Sequence, residues 1–240
     1  MPERTLAISD IHGELELFER LLDKIGYDSA SDQLVLLGDY IDRGPHSMQT
    51  LEKVIKLREA GAVVLMGNHE DLMLRAMEGG EEDWKRWVVR NGGYLTLQSY
   101  GFSDRQIRIE TGEAYRRPEL SSETLERHLD FVRGLDLYYE TDTHVFVHAG
   151  IPPGKTAAES DRSELVWIRD EFHTGYRGAK TVVFGHTPTR GLHGDPDNNG
   201  LYYGSNRIIG IDGGAVFGGQ LNALDVQSGE TFYIKAESPE

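Results

Sequence analysis

Not one cysteine occurs in this 240-residue chain. Disulfides, zinc–thiolate sites and every reaction that runs through a cysteine nucleophile are excluded together. Long apolar runs are missing too: none approaches the ~18 residues that a membrane-crossing helix needs. Basic residues are in deficit, with 25 Lys and Arg against 40 Asp and Glu, a net charge of −15. Coating nucleic acid, which depends on neutralising its phosphates, is therefore not expected. No apolar leader stands before the first strand, since Met1-Pro2-Glu3-Arg4 runs straight into it, and a cytoplasmic protein is the expectation.

What is present fits an ordinary globular chain, 38% hydrophobic and 27% charged, long enough for one sizeable core. A single domain over residues 1–240 is expected. The first half alternates strand and helix. Thr5–Ser9, Gln33–Leu37 and Ala62–Met66 are short apolar strands. Leu15, Phe18, Leu22 and Ile25 recur at helical spacing and stop at Gly26. Met48, Leu51 and Ile55 mark a second helix, and a third runs from about Glu70 to Met77. This rhythm predicts a parallel sheet with helices on its faces.

Residues 79–143 break the rhythm and read as a helical insertion over the sheet edge. Trp84, Trp87 and Val88 suggest a helix face, Asn91-Gly92-Gly93 a sharp turn, and Ser121 or Ser122 the cap of a helix reaching Arg133. Within it, residues 81–117 hold seven basic and six acidic side chains, close to neutral in an acidic chain. Surface scatter and a substrate-facing patch are both open readings. Strands return at His144–Val147, Thr181–Phe184 and Arg207–Ile211. Gly191–Gly204 reads as an exposed loop, and Gly219–Val226 with Thr231–Lys235 as a terminal hairpin turning at Ser228-Gly229.

Five short blocks sit where apolar strands stop: Asp10-Ile11-His12-Gly13, Gly38-Asp39-Tyr40-Ile41-Asp42-Arg43-Gly44, Gly67-Asn68-His69-Glu70, His148-Ala149-Gly150 and Gly185-His186-Thr187. Ligands gather at the carboxyl ends of strands in open α/β sheets, so distant blocks can meet there. Asp10, His12, Asp39, Asn68, His148 and His186 make a hard nitrogen-and-oxygen donor set that suits two divalent ions. Asp39 is the candidate to bridge both, with Asp10 and His12 on one ion and Asn68, His148 and His186 on the other. Without thiolates and with three histidines, manganese, iron or zinc fits, the sequence does not choose among them, and magnesium fits less well. Two such ions ~3.5–4 Å apart lower the pKa of a shared water and clamp an in-line displacement at phosphorus. His69 is the candidate general acid for the leaving oxygen, Asp42 the group that holds its ring, and Arg43 a planar clamp for phosphate oxygens. Any one block alone would read as a turn or helix cap; the shared donor chemistry of five strand-end blocks is what favours a site. The other histidines, His46, His128, His144, His173 and His193, are expected at the surface.

These blocks closely resemble the calcineurin-like metallophosphoesterases, and within them the phosphoprotein phosphatase family. The family pattern runs Gly-Asp-x-His-Gly, Gly-Asp-x-Val-Asp-Arg-Gly, Gly-Asn-His-Glu, His-Ala/Gly-Gly and Gly-His; here Ser9 replaces the first Gly and Ile41 the Val. The resemblance spans residues 9–187. It implies a central β-sandwich flanked by helices, two metals at one edge, and the His69–Asp42 pair. It also implies a second phosphate-binding arginine, for which Arg169 in Trp167-Ile168-Arg169-Asp170 is the candidate beside Arg43, with Asn68 also facing the phosphate. The short chain is similar to the small bacterial and phage-type branch, which holds serine/threonine protein phosphatases and symmetrical diadenosine tetraphosphate hydrolases. Trp87 to Gly101 is similar to stretches of that branch.

The leading expectation is therefore a monomeric di-metal hydrolase of phosphoserine and phosphothreonine in proteins. The alternative is symmetrical cleavage of a dinucleoside polyphosphate, for which Trp84, Trp87, Tyr94 and the arginines of residues 86–117 would form a base wall, although two Trp at i, i+3 fit a core better. A binding protein that has lost catalysis ranks low because no ligand, acid or arginine is missing. A nucleic-acid phosphodiesterase ranks low for want of a basic stripe.

Overall fold

The computed structural model describes residues 2–107 and 118–236. Its strands are β1 (Arg4–Ile8), β2 (Asp32–Leu36), β3 (Val63–Val64), β4 (Tyr138–Glu140), β5 (His144–Val147), β6 (Thr181–Phe184), β7 (Tyr202–Gly204), β8 (Ile208–Gly210), β9 (Gln220–Asp225) and β10 (Thr231–Lys235). They form two five-stranded sheets, ordered β10-β9-β1-β2-β3 and β4-β5-β6-β8-β7. In the first, β1, β2 and β3 run parallel, while β9 and β10 are antiparallel additions. In the second, β5, β6 and β8 run parallel, with β4 and β7 antiparallel at the edges. The parallel sheet that the strand–helix rhythm predicts is thus two mixed sheets, in the sandwich that the family resemblance implied.

The strand sequences explain why the sheets stack. Side chains alternate across a strand. Ala7 of β1, Val35 of β2, Phe146 of β5 and Val183 of β6 meet in one buried cluster between the sheets. Their neighbours point the other way. Leu6, Ile8, Leu34 and Leu36 pack with Phe18, Leu21, Leu51 and Leu72, while Val145, Val147, Val182 and Phe184 pack with Leu165 and Phe172. Both faces of the central strands are covered, so they read as unbroken apolar runs.

The helices are α1 (Leu15–Ile25), α2 (Ser47–Glu59), α3 (Asn68–Glu78), α4 (Glu81–Trp84), α5 (Gly93–Ser99), α6 (Asp104–Ile107), α7 (Glu123–Arg133), α8 (Arg162–Trp167), α9 (Asp170–Gly175) and α10 (Thr189–His193). A single π-turn, Lys85–Val89, continues α4. α1 buries Leu17, Phe18, Leu21, Leu22 and Ile25, and closes on Gly26 in the left-handed conformation (φ 63°). Each of those side chains stabilises the fold by about 1.5–3 kcal/mol. Ser122 caps α7, its hydroxyl accepting from the Leu125 N–H at 3.3 Å.

Several expectations need correction. Among the described residues of the 79–143 segment the last helix ends at Arg133, and β4 follows it, because Tyr138–Glu140 finds an open edge on β5. The 191–204 loop carries the end of α10 and all of β7. His128 is fully buried on α7, between the Tyr100 hydroxyl (2.6 Å) and Glu52 (3.1 Å), and the His173 side chain is also largely covered. Neither is a surface residue. Among the described residues no helix is long and apolar enough to cross a membrane.

Candidate metal centre and active site

Each parallel strand ends in a site residue. Asp10 and His12 follow β1, Asp39 to Arg43 follow β2, and Asn68 to Glu70 open α3 after β3. His148 follows β5, His186 follows β6 and Asp212 follows β8. Stacking the two sheets brings both sets of strand ends together. His148 Nε2 lies 3.4 Å from Asp39 Oδ1, and His12 Nε2 lies 3.6 Å from Asp39 Oδ2. Asp39 belongs to both donor clusters, one with His12 and His69 and one with His148 and His186. Asn68 Oδ1 sits 2.9 Å from His148 Nε2 and 2.7 Å from His186 Nδ1. Asp10 accepts from the His186 backbone N–H at 3.0 Å and from the Ser9 hydroxyl.

Backbone strain concentrates here. Of the seven described non-glycine residues with positive φ, six are Asp10, His12, Asp39, Asp42, Arg43 and His186; the seventh is Arg207. Such conformations cost of order 1–3 kcal/mol each and persist where the surroundings over-determine them. Two glycines permit the crowding. A Cβ on Gly67 would stand 2.2 Å from Asp39 Oδ1, and one on Gly44 would stand 2.0 Å from the His12 carbonyl.

The histidine rings are oriented by carbonyls. His12 Nδ1 donates to Ile41 O at 2.8 Å and His148 Nδ1 to Leu37 O at 2.9 Å. Each Nε2 lone pair is thereby turned inward, as metal-ligating imidazoles require. His186 differs, offering Nδ1 to the centre and leaving a buried Nε2 without a partner. Buried carboxylates and neutral-nitrogen donors converge without thiolate, which fits a pair of divalent cations.

The charges are strongly perturbed. Burial pushes Asp10 up to about 6, helped by Asp39 and opposed by His148. Burial also lifts Glu70 to about 7, again helped by Asp39. Burial alone would depress His148, but the carboxylates around it, Asp39 foremost with Asp10 and Glu70, take the ring to about 9. For Asp39 burial works upward, yet His148 and His69 together hold it well below the carboxylate range. Burial drives His12 and His186 well below the usual imidazole value, as a site full of neighbouring cations would.

His69 Nδ1 lies 2.6 Å from Asp42 Oδ2, which leaves Nε2 facing the cluster, 3.9 Å from Asp39 Oδ2. Arg43 Nη1 reaches His12 Nε2 at 2.7 Å, and its guanidinium stands over the half-exposed Phe217 ring at 5.1 Å. Arg169 Nη1 donates to Thr187 Oγ1 at 3.2 Å, one residue from His186. Every metal-ligand, acid and phosphate-binding candidate proposed from the sequence therefore lies at or beside one buried centre. Trp84 and Trp87 are core residues, both almost wholly buried. Arg108, Arg116 and Arg117 of the expected base wall lie outside the described residues.

Sequence reading did not assign the roles that four groups take here. Glu70 accepts the backbone N–H groups of Asp39, Tyr40 and Gly67 at 2.8–2.9 Å and ties two strand-end loops together. Asp212 is buried beside Asp10 and Asp39, and burial with those two charges raises it well above its ordinary value. Its position directly after an apolar strand repeats the Asp10 and Asp39 pattern and was a legible signal. Trp87 and Thr96 both bond Asp42, and no local pattern marks either.

Candidate metal-ligand clusters at the strand ends of a β-sandwich, with the His69–Asp42 pair and two arginines beside them, are the setting of a metal-dependent phosphoesterase. The chain belongs to the calcineurin-like phosphoesterase family, whose model matches residues 3–211. It is 30% identical to serine/threonine-protein phosphatase 1 of Salmonella typhimurium, over 92% of this chain and 90% of that one. It is 29% identical to the asymmetrical bis(5'-nucleosyl)-tetraphosphatase PrpE of Bacillus thuringiensis, over 97% and 94%. Among solved structures, a candidate diadenosine tetraphosphatase superposes with a TM-score of 0.70 at 20% identity, covering 100% of this chain and 97% of that one. A cold-active protein tyrosine phosphatase reaches 0.59 at 18% identity, covering 98% and 80%. Both share the fold.

Proposed function

We propose that this hydrolase removes phosphate from phosphoserine and phosphothreonine in proteins. The observation that supports the reading is the 2.6 Å contact of His69 Nδ1 with Asp42 Oδ2, which leaves Nε2 facing Asp39 and, on this reading, makes His69 the proton donor rather than a ligand. An alkoxide leaving group needs that proton, whereas a phosphoanhydride leaving group is stable without it. Asp10, His12 and Asp39 would hold one ion, and Asp39, Asn68, His148 and His186 the other; manganese is the proposed metal, with iron or zinc as alternatives. When bound, the ions acidify the attacking water and neutralise charge on the phosphoryl oxygens. Arg43 and Arg169 orient the phosphate, and Asn68 faces it from the α3 side. Water attacks phosphorus opposite the leaving oxygen and releases its proton to solvent. As the P–O bond breaks, the proton on His69 Nε2 passes to the leaving oxygen, while Asp42 holds the ring at Nδ1. Phosphopeptides rather than nucleic acid are the partners proposed, in keeping with the net charge of −15.

A second reading, cleavage of a dinucleoside tetraphosphate, draws on the name of the Bacillus relative, which specifies asymmetrical rather than symmetrical cleavage. The burial of Trp84 and Trp87 takes these two rings out of the base-stacking wall it invoked. The test is kcat/KM on metal-stripped, manganese-reloaded protein for phosphoserine, phosphothreonine and phosphotyrosine peptides beside diadenosine tetraphosphate. Preference for the first two supports the proposal; preference for the dinucleotide overturns it in favour of the second reading.

A further inference from the structure

The segment from Trp87 to Gly101 takes no part in the mechanism above, yet it grips the acid. Its helix begins as α4 and swells into the π-turn Lys85–Val89, an irregularity that is frequent at functional sites. The π-turn carries Trp87 inward until it is fully buried. Trp87 Nε1 donates to Asp42 Oδ2 at 2.9 Å and to Oδ1 at 3.1 Å. One helical turn into α5, Thr96 Oγ1 donates to Asp42 Oδ1 at 2.5 Å and accepts the Asp42 backbone N–H at 2.9 Å.

The paired glycines make this approach possible. A Cβ on Gly93 would lie 2.5–2.7 Å from three atoms of the Trp87 ring. Gly92 has φ +89°, and a Cβ there would stand 2.7 Å from the Arg43 backbone nitrogen. The segment therefore presses directly on Asp42 and Arg43, two adjacent non-glycine residues held at positive φ (72° and 69°).

A carboxylate held only by the imidazole it supports could rotate with it. Here Trp87 and Thr96 fix the plane of the Asp42 carboxylate independently of His69. Resting on the His69–Asp42 acid reading, we propose that Trp87 and Thr96 are positioning residues that aim the His69 proton at the leaving oxygen. The helical insertion thereby sets how well the enzyme handles poor leaving groups. The residues touch neither substrate nor metal ligands in this role; they act through Asp42.

The test compares a phosphoserine peptide, whose leaving group needs a proton, with p-nitrophenyl phosphate, whose leaving group does not. Trp87→Phe keeps the apolar bulk and removes the N–H; Thr96→Val removes the hydroxyl and Thr96→Ser returns it. General acid catalysis contributes about 10²–10⁴-fold, so partial misaiming is expected to cost about 10-fold or more in kcat on the peptide. The nitrophenyl ester is expected to lose far less, with metal content and KM unchanged. Thr96→Ser should recover most of the Thr96→Val loss, and Trp87→Phe should add little in an Asp42→Asn background. Equal losses on both substrates, no loss on either, or full additivity with Asp42→Asn would overturn the proposal. Asp42→Asn alone separates the two layers. If it shows the leaving-group dependence and Trp87→Phe does not, only the positioning role fails. If it shows none, the acid reading itself fails.

Discussion

Gly67→Ala puts a methyl group where the site has no room. Gly67 lies in ordinary extended backbone (φ −97°, ψ 176°), so alanine meets no conformational penalty there. Its Cβ would stand 2.2 Å from Asp39 Oδ1, 2.4 Å from the Asp39 nitrogen and 2.8 Å from Glu70 Oε2, where 3.4 Å is ordinary contact. Asp39 must retreat by roughly 1 Å, because overlap of that size is not absorbed by a packed interior. Overpacking costs about 1–3 kcal/mol. The smaller unfolded ensemble of alanine offsets about 0.4–1 kcal/mol. The net loss, at most about 2.6 kcal/mol, lowers Tm by up to about 10 °C in a chain of this size. The larger consequence is functional. Asp39 is shared by both donor clusters, and a 1 Å misplacement in an active site can cost about 10²-fold in rate. The assay is kcat/KM on p-nitrophenyl phosphate together with bound metal per chain and Tm by calorimetry. Gly191→Ala is the control: it sits in α10 with nothing within 4 Å of its Cβ and should leave Tm unchanged or raised. Wild-type turnover and metal content in Gly67→Ala would show that Asp39 is not gripped as described.

Asp39→Asn should empty the site of metal and abolish turnover, read by elemental analysis and phosphate release; retained turnover would remove Asp39 from the bridging position. Arg43→Ala should weaken turnover and inhibition by inorganic phosphate together, and unchanged phosphate inhibition would take it out of the pocket. Metal-free protein should lose stability as pH rises. His148 stands at about 9 against an ordinary 6.5, so its contribution is complete below 6.5 and is lost through 9. That is about 3 kcal/mol at 1.36 kcal/mol per pH unit. Asp10 and Glu70, raised from 3.8 to about 6 and from 4.5 to about 7, lose their contributions earlier, over those lower ranges, while the depressed Asp39 acts in the acid range. A calorimetric Tm that stays flat or climbs between pH 6 and 9.5 would refute this charge arrangement. Loading manganese should flatten the profile, because the Nε2 lone pair is then no longer available to a proton.

What the sequence determined by itself was local. Apolar runs marked the strands, and helical spacing marked α1 and α2. The turn-forming blocks at strand ends showed where chemistry collects, because donors spaced that way serve no packing purpose. Asp212 was equally legible from its place after β8, and Glu70 from its place beside His69. Only the tertiary structure decided the rest. The strand pattern by itself could not show two sheets rather than one, which only the family resemblance implied, because period-two alternation is silent when both faces are apolar. β4 exists because β5 leaves an edge open. His128 is buried because Glu52 and Tyr100, distant in sequence, enclose it. Trp87 reads as a core residue and is one, yet its one polar atom reaches Asp42 across 45 residues of chain. That bond depends on a π-turn, two glycines and the packing of an insertion, none of which is a property of a local window of sequence.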